Sequence, residues 1–303
     1  MKKDMPSPAR SEKNQVRKET LYLVATPIGN LSDLSERACK VLSEVDFIAA
    51  EDTRNTMKLL AHFNISREMI SYHEHNQKSR GEEILKRLQS GESCALVTDA
   101  GMPAISDPGE DIVRLCAKND IAVTAVPGPC AAITALSLSA MCTGRFAFEG
   151  FLPLERAKRI ERLESVKDDV RTLIFYEAPH RLIKTLEELQ TILGNRSITL
   201  CRELTKLNEE ILRMTLFEAL EFYREHIPRG EYVLVVEGAA NHKNLSEFWR
   251  DMTVEAHVNH YIVQGMPKSE AIKFAAKDSG VPKNKVYNEY VRLSSTNPEE
   301  EKL

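Results

Sequence analysis

The stretch LYLVATPIGNLSDLSERACKVLSEVDFIAAEDTR occupies residues 21–54. Within it, the apolar run LYLVA precedes the amphipathic run LSERACKVLSE, and a second apolar run, VDFIAA, follows. The same alternation continues to residue 140, through SCALVT, EDIVRLCAKND, IAVTAV and CAAITALSLSA. Short apolar runs between helical patterns are typical of βα units that share a mostly parallel sheet. The sequence therefore predicts an α/β domain over residues 20–146, with Asp33 as the N-cap of its first helix.

A second pattern follows the Pro- and Gly-containing segment CTGRFAFEGFLP at 142–153. A charged helical pattern comes next, and then apolar runs stand closer together, as RTLIFYE, SITLCRE, EEILRMT and EYVLVVEG. Closely spaced strands favour antiparallel pairing, and we expect such a ladder between residues 197 and 237. Residues 147–240 are predicted to form a second α/β domain with a mixed sheet.

The two ends of the chain are expected to differ from this core. Residues 1–19 are polar and interrupted by Pro, which predicts a flexible tail. Residues 241–303 are predicted to form a small helical domain with a helix-turn-helix outline, followed by a polar tail. Six basic and three acidic residues across 264–293 leave a net charge of +3 there. That surplus fits a phosphate-binding module, although a helical lid or a dimer arm with a solvated face fits it equally well.

Composition excludes several classes of protein. Hydrophobic residues make up 42% of the 303 residues and charged residues 28%, which are ordinary values for a folded globular protein. No apolar run reaches the roughly 18 residues of a membrane span, and the N-terminus lacks the pattern of a secretory signal. Six scattered Cys argue against zinc and disulfides, so we expect a cytoplasmic protein. A net charge of −4 means that nucleic-acid binding would depend on local basic patches.

Polar and Gly-rich loops follow six of the predicted strands. They are TPIGNLSD, EDTR, TDAGMPAISDPG, PGPC, YEAPHR and CRELTK. Ligands of open α/β sheets bind beyond the carboxyl ends of the strands, so we expect these loops to converge on one cleft. The alternative is that each loop only reverses the chain. No G-x-G-x-x-G or P-loop motif is present, which argues against the usual dinucleotide fold and against a P-loop NTPase.

Eight ordered motifs carry a family resemblance. They are LYLVATPIGNLSD, AAEDTR, DAGMPAISDPG, PGPCAAITAL, FEGFLP, YEAPHR, RELTK and GEYVLVVEG. This set resembles the 16S ribosomal RNA cytidine 2′-O-methyltransferase family of the tetrapyrrole methylase superfamily, over about residues 20–293. The resemblance implies a two-domain tetrapyrrole-methylase-like fold and a homodimer. Met102 departs from the family, which usually has Thr there, so the loop would offer backbone groups in place of a side-chain hydroxyl.

The resemblance also implies S-adenosylmethionine as cofactor, bound between the two α/β domains. By analogy, the cofactor would contact residues from four loops of the first domain and one of the second: Pro27, Ile28, Gly29, Asp99, Ala100, Gly101, Ile105, Cys130, Ala131 and Ala178. Backbone amides and carbonyls of Gly-rich turns suit a ligand that carries both an ammonium and a carboxylate. No metal is required for methyl transfer from a sulfonium.

A base must accept the proton of the ribose hydroxyl, within about 3 Å of it. Four side chains in strand-end loops are unranked candidates: Asp52, Glu177, Glu203 and Lys206. Each acid is as readily explained by a salt bridge to a neighbouring arginine. The residues expected to hold RNA phosphates are Arg54, Arg181 and Arg202 in the loops, with Lys283 and Lys285 in the C-terminal helices.

Three functions compete at this stage. The first is methylation of a cytidine ribose in 16S ribosomal RNA, free or within the small ribosomal subunit. The second is methylation of a small tetrapyrrole-like substrate, which leaves the basic helical appendage without a role. The third is DNA-binding regulation by the C-terminal helices, which leaves the whole cleft unexplained.

Overall fold

The computed structural model describes residues 15–240, 249, 252–263 and 266–294, which form parts of two compact units, Met1–Gly238 and Ala239–Leu303. The predicted tail before residue 15 and the polar end after residue 294 lie outside the described residues.

The first sheet is parallel throughout, with strand order β3-β2-β4-β1-β5. Its strands are β1 (Thr20–Val24), β2 (Phe47–Ala50), β3 (Glu68–Ser71), β4 (Cys94–Val97) and β5 (Ala122–Val126). The helices between and after them are α1 (Glu36–Glu44), α2 (Thr53–His62), α3 (Gln77–Gln89), α4 (Glu110–Lys118) and α5 (Ala131–Leu138). The predicted alternation of strands and helices is confirmed, and the structure adds β3 and α3, which the sequence analysis did not predict.

Both faces of this sheet are covered, and the alternation of side chains along each strand shows how. Leu21 of β1 packs into the core with α3 and α4, whereas the next residue, Tyr22, packs into the core with α1 and α2. Neighbouring β2 is buried along its whole length, which explains why VDFIAA is almost continuously apolar.

The start of α1 differs from the prediction. The N-cap is Ser35, whose side chain accepts a hydrogen bond from the amide of Ala38, and Asp33 instead ends a short 3₁₀ turn, Leu31–Asp33. Both residues are good capping types, and the extra turn shifts the helix start by two residues.

The second sheet is mixed, with strand order β6-β7-β10-β8-β9. Its strands are β6 (Phe146–Phe151), β7 (Thr172–Glu177), β8 (Ser197–Arg202), β9 (Glu210–Thr215) and β10 (Tyr232–Val236), and its helices are α6 (Arg156–Ser165), α7 (Leu182–Leu193) and α8 (Leu216–Glu225). Strands β6 and β7 are parallel, and the remaining pairs are antiparallel, including the expected ladder.

Helix α5 joins the two sheets into one unit. The helices α6, α7 and α8 cover one face of the second sheet, and α5 covers the other through Ala132, Ala135 and Leu136. Because α5 leaves the first sheet at the carboxyl end of β5, this packing brings the second sheet over the strand-end loops.

The described part of the C-terminal unit contains α9 (Val254–Val263), α10 (Lys268–Ser279) and α11 (Lys283–Ser294). Gly280 ends α10 with a left-handed backbone (φ 64°), which makes the predicted turn between α10 and α11. Val258, Ile272 and Val286, one from each helix, meet in its core. Across the described residues of both units, no helix combines the length and the apolar character needed to span a bilayer.

Candidate active-site cleft

All six strand-end loops line one cleft of about 330 Å³ in the unit Met1–Gly238, as expected from their positions. The first sheet contributes Ile28, Glu51, the segment 99–102, Ile105, Ser106, Asp107, Cys130 and Ala131. The second sheet contributes Phe151, Tyr176, Glu177, Ala178, Cys201, Glu203, Leu204, Lys206 and the segment 231–233. The loops therefore do more than reverse the chain.

Backbone hydrogen bonds hold the loops of the first sheet together. Thr26 and Gly101 exchange two of them, at 2.9 and 3.0 Å, so that the loops after β1 and β4 form a short bridge. The hydroxyl of Thr26 also donates to the carbonyl of Thr98 at 3.1 Å. These hydrogen bonds fix the loops after β1 and β4 relative to each other before any ligand binds.

A close contact between Gly29 and the loop after β8 joins the two sides of the cleft. A Cβ atom at Gly29 would lie 2.4 Å from Cγ of Lys206 and 2.9 Å from the carbonyl oxygen of Leu204. Beside it, the amide of Asn30 donates to Oγ1 of Thr205 at 3.1 Å. Only Gly allows the backbone to approach this closely, which explains the glycine in TPIGN.

Eight of the ten residues that the resemblance assigns to the cofactor line this cleft: Ile28, Asp99, Ala100, Gly101, Ile105, Cys130, Ala131 and Ala178. The other two, Pro27 and Gly29, flank Ile28. Met102 also lines the cleft.

Three carboxylates lie on the side formed by the first sheet: Glu51, Asp99 and Asp107. Burial raises the pKa of Asp107 to about 7, and the negative charges of Glu51 and Asp99 add to this. Burial also raises the pKa of Glu51, although the amide of Asp99 donates a hydrogen bond to it at 3.4 Å. Within the described residues, no three His, Cys, Asp or Glu side chains group as ligands of one metal ion. The three acids instead make this side of the cleft favourable for an organic cation.

Asp107, like Glu51, is a carboxylate of the cleft that the sequence analysis did not predict as a site residue. Among the described residues, no donor makes a hydrogen bond to its carboxylate. Its position in SDPG, within a strand-end loop, was visible in the sequence, but the burial and the two acidic neighbours were not.

Glu203 and Lys206 form an ion-pair network with Glu231 on the opposite side. Nζ of Lys206 donates to Oε1 of Glu203 at 2.9 Å and to Oε2 of Glu231 at 2.8 Å. The hydrogen bond from Lys206 lowers the pKa of Glu203. Burial acts to lower the pKa of Lys206, but its bonds to Glu231 and Glu203 outweigh that effect and raise it. Lys206 is therefore a fixed cation at neutral pH.

Glu177 lines the cleft, but its side chain is fully buried among donors. Its oxygens accept hydrogen bonds from the amide of Ala178 at 2.8 Å and from Thr185 at 2.5 Å. Arg181 lies 3.3 Å from the same carboxylate and donates to the carbonyl of Leu152 at 2.7 Å. Both side chains thus hold the YEAPHR loop in its shape.

Asp52 and Arg54 pair with each other and are not among the residues that line the cleft. Asp52 is the N-cap of α2, accepting from the amide of Arg54 at 2.8 Å, and the two side chains lie 2.7 Å apart. The hydrogen bond from Arg54 lowers the pKa of Asp52 to about 2. The side chain of Arg54 remains 84% exposed and accessible to a large ligand.

The remaining predicted RNA contacts lie elsewhere. Arg202 pairs with Glu210 at 3.1 Å and lines a separate cavity of about 400 Å³ with His226 and Arg229. Lys283 and Lys285 are exposed in the first turn of α11, in the C-terminal unit.

Comparisons with known proteins complete the description of the site. The family described as tetrapyrrole (corrin/porphyrin) methylases matches residues 20–220. Ribosomal RNA small subunit methyltransferase I of Halalkalibacterium halodurans is 51% identical over 274 residues, which cover 90% of this chain and 95% of that protein. The protein of the same name from Synechocystis is 45% identical over 276 residues, covering 91% and 98%.

A solved structure, uroporphyrin-III C-methyltransferase of Thermus thermophilus complexed with S-adenyl homocysteine, is similar with a TM-score of 0.51. It is 17% identical in sequence, and the match covers 71% of this chain and 96% of that one. At that identity the likeness concerns the fold alone.

Proposed function

Because the chain belongs to the tetrapyrrole (corrin/porphyrin) methylase family, we propose that it transfers a methyl group from S-adenosylmethionine to 16S ribosomal RNA. The acceptor is the 2′-hydroxyl of a cytidine. The RNA substrate is supported by one observation. The chain is 51% identical, over nearly the full length of both proteins, to a protein named as a methyltransferase of small-subunit ribosomal RNA.

The residues of the cleft fit this cofactor. When bound, S-adenosylmethionine supplies a methyl group on a positively charged sulfur, and it also carries an ammonium group. Glu51, Asp99 and Asp107 supply negative charge for such a ligand, and burial raises the pKa values of Glu51 and Asp107. Ile28 and Ile105 supply apolar surface for its uncharged parts.

Asp107 is the base in this proposal. A pKa of about 7 is close to the working pH, which is where general-base catalysis is most effective. Its carboxylate would take the proton of the 2′-hydroxyl while the ribose oxygen bonds to the methyl carbon, and the bond from that carbon to sulfur would break to leave a neutral thioether. Asp52 and Glu177 are already occupied by Arg54 and by buried donors, and Glu203 is held by Lys206 with a lowered pKa.

Lys206 holds a phosphate of the acceptor strand in this proposal, since it remains a cation at the edge of the cleft. Arg54, which is largely exposed, adds a second phosphate contact. Arg181, Arg202, Lys283 and Lys285 remain proposed RNA contacts, with Arg181 the most committed to contacts within the chain.

The proposed setting is the cytoplasm, where all six cysteines would stay free thiols, as they are in this structure. The proposed assembly is a homodimer. Leu207, 99% exposed beside Lys206, is an apolar side chain that a second copy would cover. Light scattering should give twice the chain mass of 34.2 kDa, and Leu207→Asp should reduce it. A monomeric wild-type protein would contradict the dimer.

The test of function uses the full chain with S-adenosylmethionine and unmethylated 16S RNA, free and in small subunits. Nucleoside mass spectrometry should find 2′-O-methylcytidine and no other methylated nucleoside. An RNA with deoxycytidine at the modified position should accept no methyl group. A base-methylated cytidine, or methylation of a tetrapyrrole in place of RNA, would overturn the proposal.

A further inference from the structure

Phe151, the last residue of β6, is an aromatic side chain that lines the cleft and is nevertheless 55% exposed. The mechanism described above does not use it. An exposed Phe ring has an unfavourable contact with water, and in a cleft it provides a flat apolar surface for a ligand.

A β-bulge directs Phe151 toward the cleft. Phe148 pairs with Ile174 and Phe151 pairs with Tyr176, so three residues of β6 advance past two of β7. In a regular strand, residues three apart point to opposite faces of the sheet. The extra residue in β6 therefore turns Phe151 from the face covered by α7 to the face that carries Phe148 and Tyr176.

The bulge depends on Gly150 and fits closely against the cofactor loop. Gly150 has a φ of 63°, and a Cβ atom there would lie 3.0 Å from Oγ of Ser106. Ser106 itself lines the cleft, so the bulge places Phe151 next to the loop that carries Asp107.

Tyr176 holds the exposed ring in a defined orientation. Its ring contacts Phe151 edge to face, with centroids 5.4 Å apart, and contacts Phe148 in the same way at 5.0 Å. Its hydroxyl accepts a hydrogen bond from the amide of Ala132 in the first turn of α5, at 3.2 Å. Phe151 is thus a preorganised platform whose outer face is free among the described residues.

We propose that Phe151 stacks against the base of the cytidine that accepts the methyl group. This rests on the proposed RNA substrate. A nucleotide whose ribose enters a cleft must leave the helical stack, and its base then needs a replacement for the stacking that it has lost. Phe151 offers that surface beside the loop that carries Ser106 and Asp107. Stacking tolerates any base, so Phe151 holds the nucleotide in place without reading its identity.

The experiment measures kcat and KM for the RNA, and the Kd for S-adenosylmethionine, in Phe151→Ala, Phe151→Leu and Phe151→Trp. We expect Phe151→Ala to lower kcat/KM for RNA by about tenfold or more, mainly through KM, and to leave the Kd for the cofactor unchanged. Phe151→Trp should restore RNA use, and Phe151→Leu should not, because it keeps apolar volume but lacks a π face. Phe217→Ala is the matched control, since Phe217 is 51% exposed at the start of α8 and outside the cleft.

An RNA that lacks the base at the modified position provides the second arm. For wild type, removing the base should lower kcat/KM about as much as Phe151→Ala lowers it on normal RNA. On the RNA without the base, Phe151→Ala should have the same kcat/KM as wild type. If wild type and Phe151→Ala use normal RNA equally well, the stacking role of Phe151 is wrong and the proposed RNA substrate is unaffected. A matching loss of cofactor affinity would assign the ring to the cofactor instead, and a changed association state would assign it to contact between copies. If wild type does not methylate RNA, the proposed function fails as well.

Discussion

At the scale of single residues, Gly29 shows how closely the two sides of the cleft approach. Gly29→Ala places a Cβ atom 2.4 Å from Cγ of Lys206, so one loop must move. We expect a loss of about 1–3 kcal/mol in the free energy of unfolding and weaker binding of S-adenosylmethionine. Urea denaturation and calorimetry measure the two effects. Gly144→Ala is the control, because a Cβ atom there has no described neighbour within 4 Å; equal effects in both variants would contradict the close contact.

Asp107 gives a pH-dependent prediction. Its folded-state pKa of about 7 exceeds the ordinary 3.8, so the folded protein keeps a proton that the unfolded chain loses. This group therefore lowers the stability as the pH rises from about 4 to about 7. Asp107→Asn should raise the Tm relative to wild type at about pH 8, with a smaller gain at about pH 5, and should abolish methylation. A Tm difference that is independent of pH would show that the carboxyl has an ordinary pKa.

The sequence predicted which residues stand at strand ends, and that information located eight of the ten proposed cofactor contacts in the cleft. It did not predict which side chains are already engaged. Asp52, Glu177 and Glu203 look equivalent in sequence, yet one caps a helix, one is buried among donors and one is paired with a lysine. Side-chain partners depend on packing between distant segments, which no local pattern encodes.

At the scale of elements, the ion pair between α6 and α7 gives a prediction of stability. Arg159 is 3% exposed, and its Nη2 donates to Oε1 of Glu188 at 2.8 Å. Removing one partner of a buried pair leaves the other charge uncompensated, at a cost of about 3–5 kcal/mol. Arg159→Leu should lose roughly that amount in urea denaturation, because the largely buried side chain of Glu188 is left without its partner.

The double variant Arg159→Leu with Glu188→Leu is the control for that pair. It should recover part of the stability lost in Arg159→Leu, since no charge is then left unpaired. Losses that simply add would mean that the two side chains do not interact.

Element boundaries were less predictable than the elements themselves. The alternation of apolar and amphipathic runs predicted the strands and helices of the first sheet except β3 and α3, and the close spacing of runs predicted the ladder of the second. The cap of α1 was assigned to Asp33, although Ser35 fills that place, because a 3₁₀ turn lies between them. Strand β6 and its bulge also escaped prediction, since the Pro and Gly residues of CTGRFAFEGFLP are typical of a boundary between domains.

At the scale of the whole molecule, the cleft lies entirely within the unit Met1–Gly238. A protein ending at residue 240 should bind S-adenosylmethionine with nearly unchanged affinity in calorimetry. Its methylation of RNA should fall, because the truncation removes Lys283 and Lys285 with the rest of the basic helices. Methylation at the wild-type rate would show that these helices do not contribute to substrate binding.

The contact between Asn30 and Thr205 joins positions 175 residues apart in the chain. The two halves of the cleft therefore come from distant segments of the chain, and we expect brief local unfolding of each half to have its own amide-exchange rate. A ligand that contacts both halves binds only when both are closed. Its binding free energy therefore stabilises both halves, and amide exchange slows in both. Supply of the methyl donor would then govern how long the protein resists proteolysis as well as how fast it works.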